Sequence, residues 1–265
     1  MEHHGNIQKM RAELANQVRY FFRIGDAEID MNALLGSHIR MQFDGQINCV
    51  ACGKRTKTSF SQGFCYACLQ TAPEASETVM RPELSKAQFG IARDITWARE
   101  HDLIDHILYL ALSSELKVGV TRIHQIPTRW IDQGASQAIR VLQTPNRHIA
   151  GVAEVFLKKY FTDKTNWRDM LKNKLAENVD LSQEKENLLH LLPAELRQYR
   201  STDDTVTSLN YPVTEYPEKP NSLSFDKQAV VEGTLLGIKG QYLLLSNNQV
   251  INIRKHNGYY ISFAY

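Results

Sequence analysis

The four cysteines of this chain constrain its fold more than any other feature. They have the spacing Cys49-x2-Cys52-x12-Cys65-x2-Cys68, and no other cysteine occurs in the 265 residues. Each Cys-x-x-Cys turn directs two sulfurs toward one point, and zinc binds four such thiolates tetrahedrally at about 2.3 Å. The spacing therefore predicts a zinc ribbon, in which Gly53–Phe64 connects two cysteine knuckles.

The predicted role of the zinc is structural. Four thiolates fill the coordination shell and leave no open position for a catalytic water. Two alternatives stay open: an iron–sulfur cluster, and a redox dithiol, although a redox motif needs only one Cys-x-x-Cys pair. Because the segment has few residues for a core, we expect the metal to hold it folded, with a binding free energy of roughly 10–16 kcal/mol.

The composition is that of an ordinary globular chain, 43% hydrophobic and 23% charged, with a formal net charge of only +2. A basic surface for nucleic acid would therefore have to be local. No apolar run is long enough for a membrane span. Because the first residues lack the layout of a secretion signal, paired cysteine motifs favour metal binding over disulfides. We expect a cytoplasmic protein.

The pattern along the chain predicts an α+β protein. Aromatic and β-branched residues at 17–24 and alternation at 38–43 indicate strands, while helical spacing of apolar residues follows at 149–161. Short apolar runs between turn residues in the tail predict a small antiparallel sheet or barrel. The predicted parts are an N-terminal β segment at 1–45, the zinc ribbon at 46–72, a connector at 73–102, an α/β domain at 103–200, a linker at 201–224 and a small β domain at 225–265.

Two segments that mix cations with aromatic residues are candidates for nucleic-acid contact. The ribbon loop contains Lys54, Arg55, Lys57, Phe60, Phe64 and Tyr66. The tail contains Lys239, Arg254, Lys255 and His256 among Tyr242, Tyr259 and Tyr260. Cations suit phosphate contact and aromatic rings suit base stacking. For the ribbon loop, the alternative is that the aromatic rings pack on the zinc knuckles while the cations are only solvated. For the tail, the alternative is a tyrosine-lined surface that packs against the central domain.

The central domain resembles the core of the GIY-YIG nucleases over residues 104–162. The resemblance rests on three phrases: His106-Ile-Leu-Tyr-Leu-Ala, Lys117-Val-Gly-Val-Thr and Thr128-Arg-Trp-Ile-Asp-Gln. That family has a first strand with a tyrosine, a second strand that reads Tyr-Ile-Gly, a helix with an arginine and a later helix with a metal-binding glutamate. Tyr109, Gly119 and Arg129 match the first three features, and Glu154 is the candidate for the glutamate.

The resemblance implies a role for each of these residues, because phosphodiester cleavage needs a metal, a base and a cation. Glu154 would hold magnesium or manganese, Arg129 would clamp the phosphate, and Tyr109 would orient the attacking water. Lys117, however, stands where the family has its second tyrosine, and a protonated lysine is a poor replacement for a tyrosine base. Lys117 is instead a candidate phosphate contact. Whether the core cleaves nucleic acid or only binds it stays open.

A longer stretch, residues 45–258, resembles the bacterial domain-of-unknown-function 2797 family. The phrases that carry the resemblance include Cys49-Val-Ala-Cys-Gly-Lys, Ser61-Gln-Gly-Phe-Cys-Tyr-Ala-Cys, Met80-Arg-Pro-Glu-Leu, Arg129-Trp-Ile-Asp-Gln-Gly-Ala and Asn252-Ile-Arg-Lys-His. Many members of that family carry further cysteines in the connector, where this chain has Ala75, Thr78, Ser85 and Ala92. The resemblance thus implies that a second metal site is lost and that packing holds the connector.

Three functions are compatible with these patterns. The first is a zinc-containing protein with a nuclease-like core that binds DNA or RNA. The second is a metal-dependent GIY-YIG-type endonuclease. The third is a protein-interaction or ribosome-associated module, in which the zinc and the tail only shape docking surfaces. Salt distinguishes the first from the third, because phosphate binding weakens steeply as the salt concentration rises.

Overall fold

A computed structural model describes residues 1–161, 166–176 and 178–265. It has the predicted α+β fold, with two separate β-sheets and several short helices. The chain divides into two compact units. Unit 1 comprises Met1–Gln70, Ile131–Gly134 and Leu209–Tyr265, and unit 2 comprises Thr71–Trp130 and Ala135–Ser208. None of the helices in the described residues has the length and apolar character needed to cross a membrane.

The regular elements have the following bounds. The strands are β1 Glu2–Glu13, β2 Arg19–Ile24, β3 Ala27–Asp30, β4 His38–Asn48, β5 Arg55–Thr56, β6 His106–Leu112, β7 Leu116–Arg122, β8 Gln137–Thr144, β9 Thr207–Ser208, β10 Asn221–Leu223, β11 Val230–Lys239, β12 Tyr242–Leu245, β13 Gln249–Asn252 and β14 Tyr259–Ala264. The helices are α1 Tyr66–Thr71, α2 Glu77–Met80, α3 Ile95–His101, α4 Thr128–Asp132, α5 Arg147–Leu157, α6 Trp167–Leu171, α7 Leu181–Leu191 and α8 Ala194–Arg197.

Unit 1 is built on a sheet with the order β10-β13-β12-β11-β4-β14-β1-β2-β3, and β5 adds to β4. Strand β2 shows why these segments form strands. Its residues Tyr20, Phe22 and Ile24 are fully buried, whereas the residues between them turn away from the core. This alternation is the two-residue period of a half-buried strand. In β1 the buried Ile7 and Met10 are three residues apart, because a bulge interrupts its pairing with β2.

The structure corrects the predicted division of the chain. The tail does form short antiparallel strands, but β11 and β14 both pair with β4, so residues 225–265 share one sheet with the N-terminal β segment. The predicted linker at 201–224 also contributes buried side chains, Leu209 and Tyr211, to its unit. The physical reason is that a strand at the edge of a sheet leaves its backbone N–H and C=O groups unpaired, so β4 would need hydrogen-bond partners on both sides. Pairing with β4 supplies these partners, and Met41 is buried opposite Val231 and Phe263.

Unit 2 contains the smaller sheet, with the order β7-β6-β8-β9 and antiparallel pairing. Every residue of β6 is buried, which is expected for a central strand that is covered on both faces. Helix α5 begins where the Asn146 side chain accepts a hydrogen bond from the Ile149 amide, at 3.0 Å. It buries Ala150, Ala153 and Leu157. The predicted helix is therefore present, but the predicted apolar face is wrong, because Val152, Val155 and Tyr160 of that pattern are exposed. Helix α7 covers β8 and β6 with Leu188 and Leu189.

The connector at 73–102 is more ordered than its sparse periodicity suggests, because it contains α2, α3 and several short 3₁₀ turns. A nearly buried ion pair anchors it, with Arg147 Nε 2.7 Å from Asp102 Oδ1. Ser85 also donates a hydrogen bond to Asp102, at 3.3 Å. Thr78, Ser85 and Ala92 line one cavity of only about 30 Å³. Three of the four positions where the family resemblance implied lost cysteines are therefore neighbours.

Candidate metal centre and nucleic-acid surface

The first cysteine knuckle follows directly from strand β4. The strand ends at Asn48, and the next residue, Cys49, is buried. The chain then turns back, with the Gly53 amide donating to the Cys49 carbonyl at 2.8 Å. Gly53 adopts a φ of +70°, as the predicted tight knuckle requires. Strand β5 returns along β4, with Asn48 opposite Arg55, and so fixes the loop's exit from the knuckle.

The second knuckle precedes helix α1, which places Cys68 in the first turn of the helix. Gly63 allows the two knuckles to approach each other. Its φ is +135°, and a Cβ added there would lie 2.5 Å from Cγ1 of Val50. The Val50 amide donates to the Gly63 carbonyl at 2.9 Å, so backbone contact connects the two halves of the ribbon.

The four sulfurs of Cys49, Cys52, Cys65 and Cys68 form one group, in which all lie within 4.8 Å of one another. The Cys52 and Cys65 sulfurs are 3.9 Å apart. A tetrahedron of sulfurs about 2.3 Å from zinc has edges of about 3.8 Å, so the spacing fits a zinc ion. Within the described ranges of the chain, this is the one group of three or more cysteine, histidine or acidic side chains close enough to hold a metal.

Backbone amides point at these sulfurs and favour the thiolate form that a metal binds. The Cys65 amide donates to Cys49 Sγ at 3.2 Å, and the Cys68 amide donates to Cys65 Sγ at 3.5 Å. Burial acts to raise the pKa of Cys49, but hydrogen bonds from the amides of Cys65, Cys52 and Ala51 outweigh it and lower the pKa to about 6. Hydrogen bonds with the Cys52 and Cys65 side chains raise the pKa of Cys68 to about 12. A bound dication would favour deprotonation of this thiol too.

The three cations of the ribbon loop, Lys54, Arg55 and Lys57, are exposed. In the described part of the chain, none of them forms an ion pair with an acidic side chain. Several other cations of unit 1 are neutralised: Arg19 pairs with Asp30 at 3.0 Å, Arg11 pairs with Glu13 and Glu28, and Arg40 pairs with Glu232. Arg23, Lys219, Lys227 and Lys255 are also exposed without an ion pair among the described residues, but the loop alone has three such cations within four positions. The ribbon loop is therefore a local positive surface on a chain with little net charge.

The aromatic residues of the loop divide into two kinds. Phe60 and Phe64 are half-buried and pair with each other through backbone hydrogen bonds. Tyr66 is 64% exposed, and its ring meets the edge of Phe60 at a centroid distance of 5.9 Å. The two phenylalanines thus follow the predicted packing alternative, while Tyr66 presents a ring to solvent.

The tail does not present the predicted row of cations and tyrosines on one face. Lys239 and His256 are buried, and Tyr259 is buried as well. The His256 ring contacts the Asn252 carbonyl at 2.9 Å and the Phe225 amide at 3.3 Å, which is a structural role. Lys255 is exposed and Arg254 is half-buried. Of the tail cations, Lys255 is therefore the most accessible to a ligand.

In unit 2, Tyr109 and Gly119 face each other across the antiparallel pair β6–β7. A Cβ at Gly119 would lie 2.6 Å from the Tyr109 hydroxyl, so the tyrosine side chain packs directly on the glycine. The Trp130 ring packs edge-on against Tyr109, at a centroid distance of 6.1 Å. Tyr109 has no exposed surface. The tyrosine and glycine of the two motifs therefore meet as neighbours in a core.

The other candidate residues of unit 2 are partly accessible. Arg129 lies on α4 and is half-buried, and Lys117 is half-buried on β7. Glu154 lies on α5 with 13% of its side chain exposed, and its carboxylate is 3.7 Å from Lys158 Nζ. The expectations of magnesium or manganese at Glu154 and of catalysis by Tyr109, Arg129 and Glu154 stay predictions.

The sequence did not indicate a further set of polar residues beside the first knuckle. Asn6, Arg23, Asn48 and Asn257 come from distant parts of the sequence and line one cavity in unit 1. No spacing rule connects these positions, since each belongs to a different strand or turn. Only the pairing of β1 with β2 and β14, and of β14 with β4, brings them together.

The model of one protein family matches residues 36–261 of the chain. The family is described as a protein of unknown function, DUF2797, and since the match covers most of the sequence, this chain belongs to it. The resemblance that the cysteine and central phrases predicted is thereby confirmed at the level of the family, whose description assigns no activity. No curated protein and no solved structure matches the chain.

Proposed function

We propose that this protein binds DNA or RNA through the ribbon loop of unit 1. The observation that carries the proposal is the set of three neighbouring cations, Lys54, Arg55 and Lys57, which are exposed and have no acidic partner in the described chain. A cation without an internal partner keeps its full charge for a ligand, and each phosphate contact releases condensed counterions. Because the cysteine group braces both ends of the loop, its cations are held together.

An exposed aromatic ring supports the same proposal. Tyr66 follows the zinc ligand Cys65 and leaves 64% of its surface to solvent. Stacking of a base on an aromatic ring contributes about 1–3 kcal/mol, and it is tolerant of sequence. The combination of loop cations with Tyr66 favours a single-stranded or locally unpaired ligand, whose bases are free to stack.

Three observations favour binding over cleavage. Tyr109 is fully buried, so a substrate would not reach its hydroxyl without a rearrangement. Glu154 is already close to Lys158, which would compete with a metal for the carboxylate. Lys117 stands where the nuclease family has the tyrosine of its second motif, and this replacement also argues against catalysis. We therefore expect Arg129→Ala and Glu154→Ala to leave the fluorescence of a quenched oligonucleotide substrate unchanged, relative to the wild type, in the presence of magnesium or manganese.

The test is a salt titration of binding to fluorescent single-stranded DNA and RNA by the zinc-loaded protein. Replacing Lys54, Arg55 and Lys57 together by alanine should weaken binding to all sequences. At about 0.7 per phosphate contact, it should also reduce the slope of log K against log salt by about 2. Tyr66→Ala should weaken binding by about 1–3 kcal/mol without changing the slope.

The matched control replaces Arg11, Arg19 and Arg40 together by alanine. These cations lie in the same unit, Arg19 and Arg40 are exposed and Arg11 is half-buried, and each has an acidic partner. The control removes the same charge and should leave the slope nearly unchanged. Equal losses of affinity in the two triple variants would mean that binding depends on the net charge of the protein and not on the ribbon loop. Binding of neither nucleic acid would reject the proposal in favour of the docking-module hypothesis.

A further inference from the structure

A cavity of about 520 Å³ lies in unit 1 against the first cysteine knuckle. Its lining comes from β1, from β2, from the end of β4 with the knuckle, and from the turn before β14. Most of the side chains involved are polar, with the amides of Asn6, Asn48 and Asn257 and the cations Lys9 and Arg23. The volume falls in the range of small-molecule sites, about 300–1,000 Å³.

One amide in this lining lacks a partner. Asn257 Oδ1 is buried, and the Asn257 side chain forms no hydrogen bond to any residue that the structure describes. An unsatisfied buried acceptor costs about 1–3 kcal/mol, so native proteins contain few of them. Because this oxygen has almost no accessible surface, it would accept a hydrogen bond from a ligand only after the Asn257 side chain turns toward the cavity that it lines.

Two further amides are held in fixed orientations. Asn6 Nδ2 donates to Asn48 Oδ1 at 3.1 Å and to the Gly258 carbonyl at 2.7 Å. Asn48 Nδ2 donates to the Gly53 carbonyl at 3.0 Å. These bonds orient both side chains before any ligand arrives, which reduces the entropic cost of binding.

The two cations of the lining differ in their availability. Lys9 forms an ion pair with Asp132, whose side chain is only 3% exposed, so its charge is already neutralised. Arg23 is exposed and, among the described residues, has no acidic side chain in ion-pair contact. Glu28 lies opposite Arg23 across the β2–β3 pair and is influenced by its charge, but the two form no ion pair. Arg23 is therefore the cation of the cavity that can bind an anion, and guanidinium binds phosphate well.

We propose that this cavity binds one unpaired nucleotide, with Asn257 contacting the base and Arg23 contacting the phosphate. Base edges present both donors and acceptors, which amide side chains match. The inference deepens the proposed function and rests on it: Gly53 lines the cavity, and the next residue is Lys54 of the ribbon loop. A strand held by the loop would place one of its nucleotides here. A free nucleotide has the same chemistry, and the experiment separates the two sources.

The experiment follows the side-chain amide resonances of the full, zinc-loaded protein by NMR while AMP, CMP, GMP and UMP are added. We expect the Asn257 amide to shift with at least one nucleotide at millimolar concentration. Asn257→Ala and Arg23→Ala should each weaken this binding at least about fivefold. The controls are Asn16→Ala, an exposed amide of unit 1, and Arg19→Ala, on the same strand as Arg23 but paired with Asp30. Both should bind nucleotides like the wild type.

A second measurement compares homopolymer strands in the binding assay. The wild type should prefer one base at least about fivefold, and Asn257→Ala should remove the preference without changing the salt slope. Base-independent binding together with an unchanged Asn257 resonance would overturn the cavity proposal and leave the ribbon loop untouched. Binding of mononucleotides without binding of any strand would reject the proposed function but support the cavity as a site for free nucleotides. Zinc content and wild-type amide spectra elsewhere show that each variant is folded.

Discussion

The cysteine ribbon of unit 1 and the small sheet of unit 2 are each stabilised in a different way. Between residues 49 and 70, only Cys49 and Gly63 are buried. In β6, by contrast, all seven residues are buried, and Leu108, Leu110 and Leu112 join a cluster of mainly leucine, isoleucine and valine side chains from β8, α5 and α7. Apolar burial contributes about 25 cal/mol per Å². The ribbon has little such area, so its order should depend on the metal, while the sheet should not.

The two regions also differ in how they use cations. In unit 2, Lys185 is buried, and its ammonium group pairs with Asp204 and donates to the Ser201 carbonyl at 3.2 Å. Arg147 likewise pairs with Asp102 inside the fold. The cations of the ribbon loop have no such structural partners in the described chain, and removing them should cost little stability. This difference is why we propose the ribbon loop, rather than unit 2, as the surface that would bind nucleic acid.

Metal removal should give the largest effect, and it tests directly whether the ribbon depends on the metal while the sheet does not. A chelator, or Cys65→Ser, should remove the bound zinc and with it roughly 10–16 kcal/mol of binding free energy that folds the ribbon. Hydrogen exchange should become fast between residues 49 and 70, while β6 and β8 keep their protection. Elemental analysis should find one zinc per chain before chelation. Well under one zinc, iron in its place, or unchanged exchange would contradict the metal assignment.

The buried ion pair should give the next largest effect, and it should be confined to unit 2. Arg147→Ala leaves Asp102, with a side chain only 5% exposed, as an uncompensated charge. We expect a loss of about 3–5 kcal/mol in the free energy of unfolding of unit 2, measured by hydrogen exchange in the connector and β6. The control is Arg81→Ala, whose exposed pairs with Glu77 and Glu83 should contribute at most about 1 kcal/mol. Equal effects would mean that Arg147 does not anchor the connector.

Removing an apolar side chain from the core of unit 2 tests whether apolar burial stabilises the small sheet. Leu110 is fully buried in the centre of β6, so Leu110→Ala should cost about 2–5 kcal/mol. Urea unfolding followed by exchange in β8 measures the loss. The variant should still bind one zinc per chain. A fall in zinc content would show that the ribbon depends on the sheet, and would contradict the view that the two regions are stabilised independently.

A pH titration should give the smallest effect. Burial, helped by Arg147 and Arg122, lowers the pKa of His106 to about 4, against about 6.5 in the unfolded chain. Between these values the unfolded state binds a proton that the folded state does not. The stability of unit 2 should therefore fall as the pH is lowered, by about 2 kcal/mol from pH 7 to pH 5. His106→Asn should remove this slope, and a slope that persists in the variant would assign it to other groups.

Local pattern predicted a large part of the fold. Aromatic and β-branched residue types predicted β2, and alternation predicted the start of β4, because alternation records which face of a strand is buried. Helical spacing predicted that α5 exists but not which of its faces is buried. The first knuckle was also predictable, since Cys-x-x-Cys followed by Gly53 is a local geometry. The domain division was not predictable, because the pairing of β14 with β4 joins residues more than 200 positions apart.

The amino-acid sequence by itself determined the four-cysteine group that could hold a metal, and the family, because both are encoded in short, contiguous spacings. It also determined that Lys54, Arg55 and Lys57 lie together on one loop. Only the tertiary structure decided which of the many cations have acidic partners, since Arg19 and Asp30 meet through strand pairing. It alone buried Tyr109 against Gly119 and brought Asn6, Asn48 and Asn257 to one cavity. Such contacts depend on the register of distant strands, which no local pattern records.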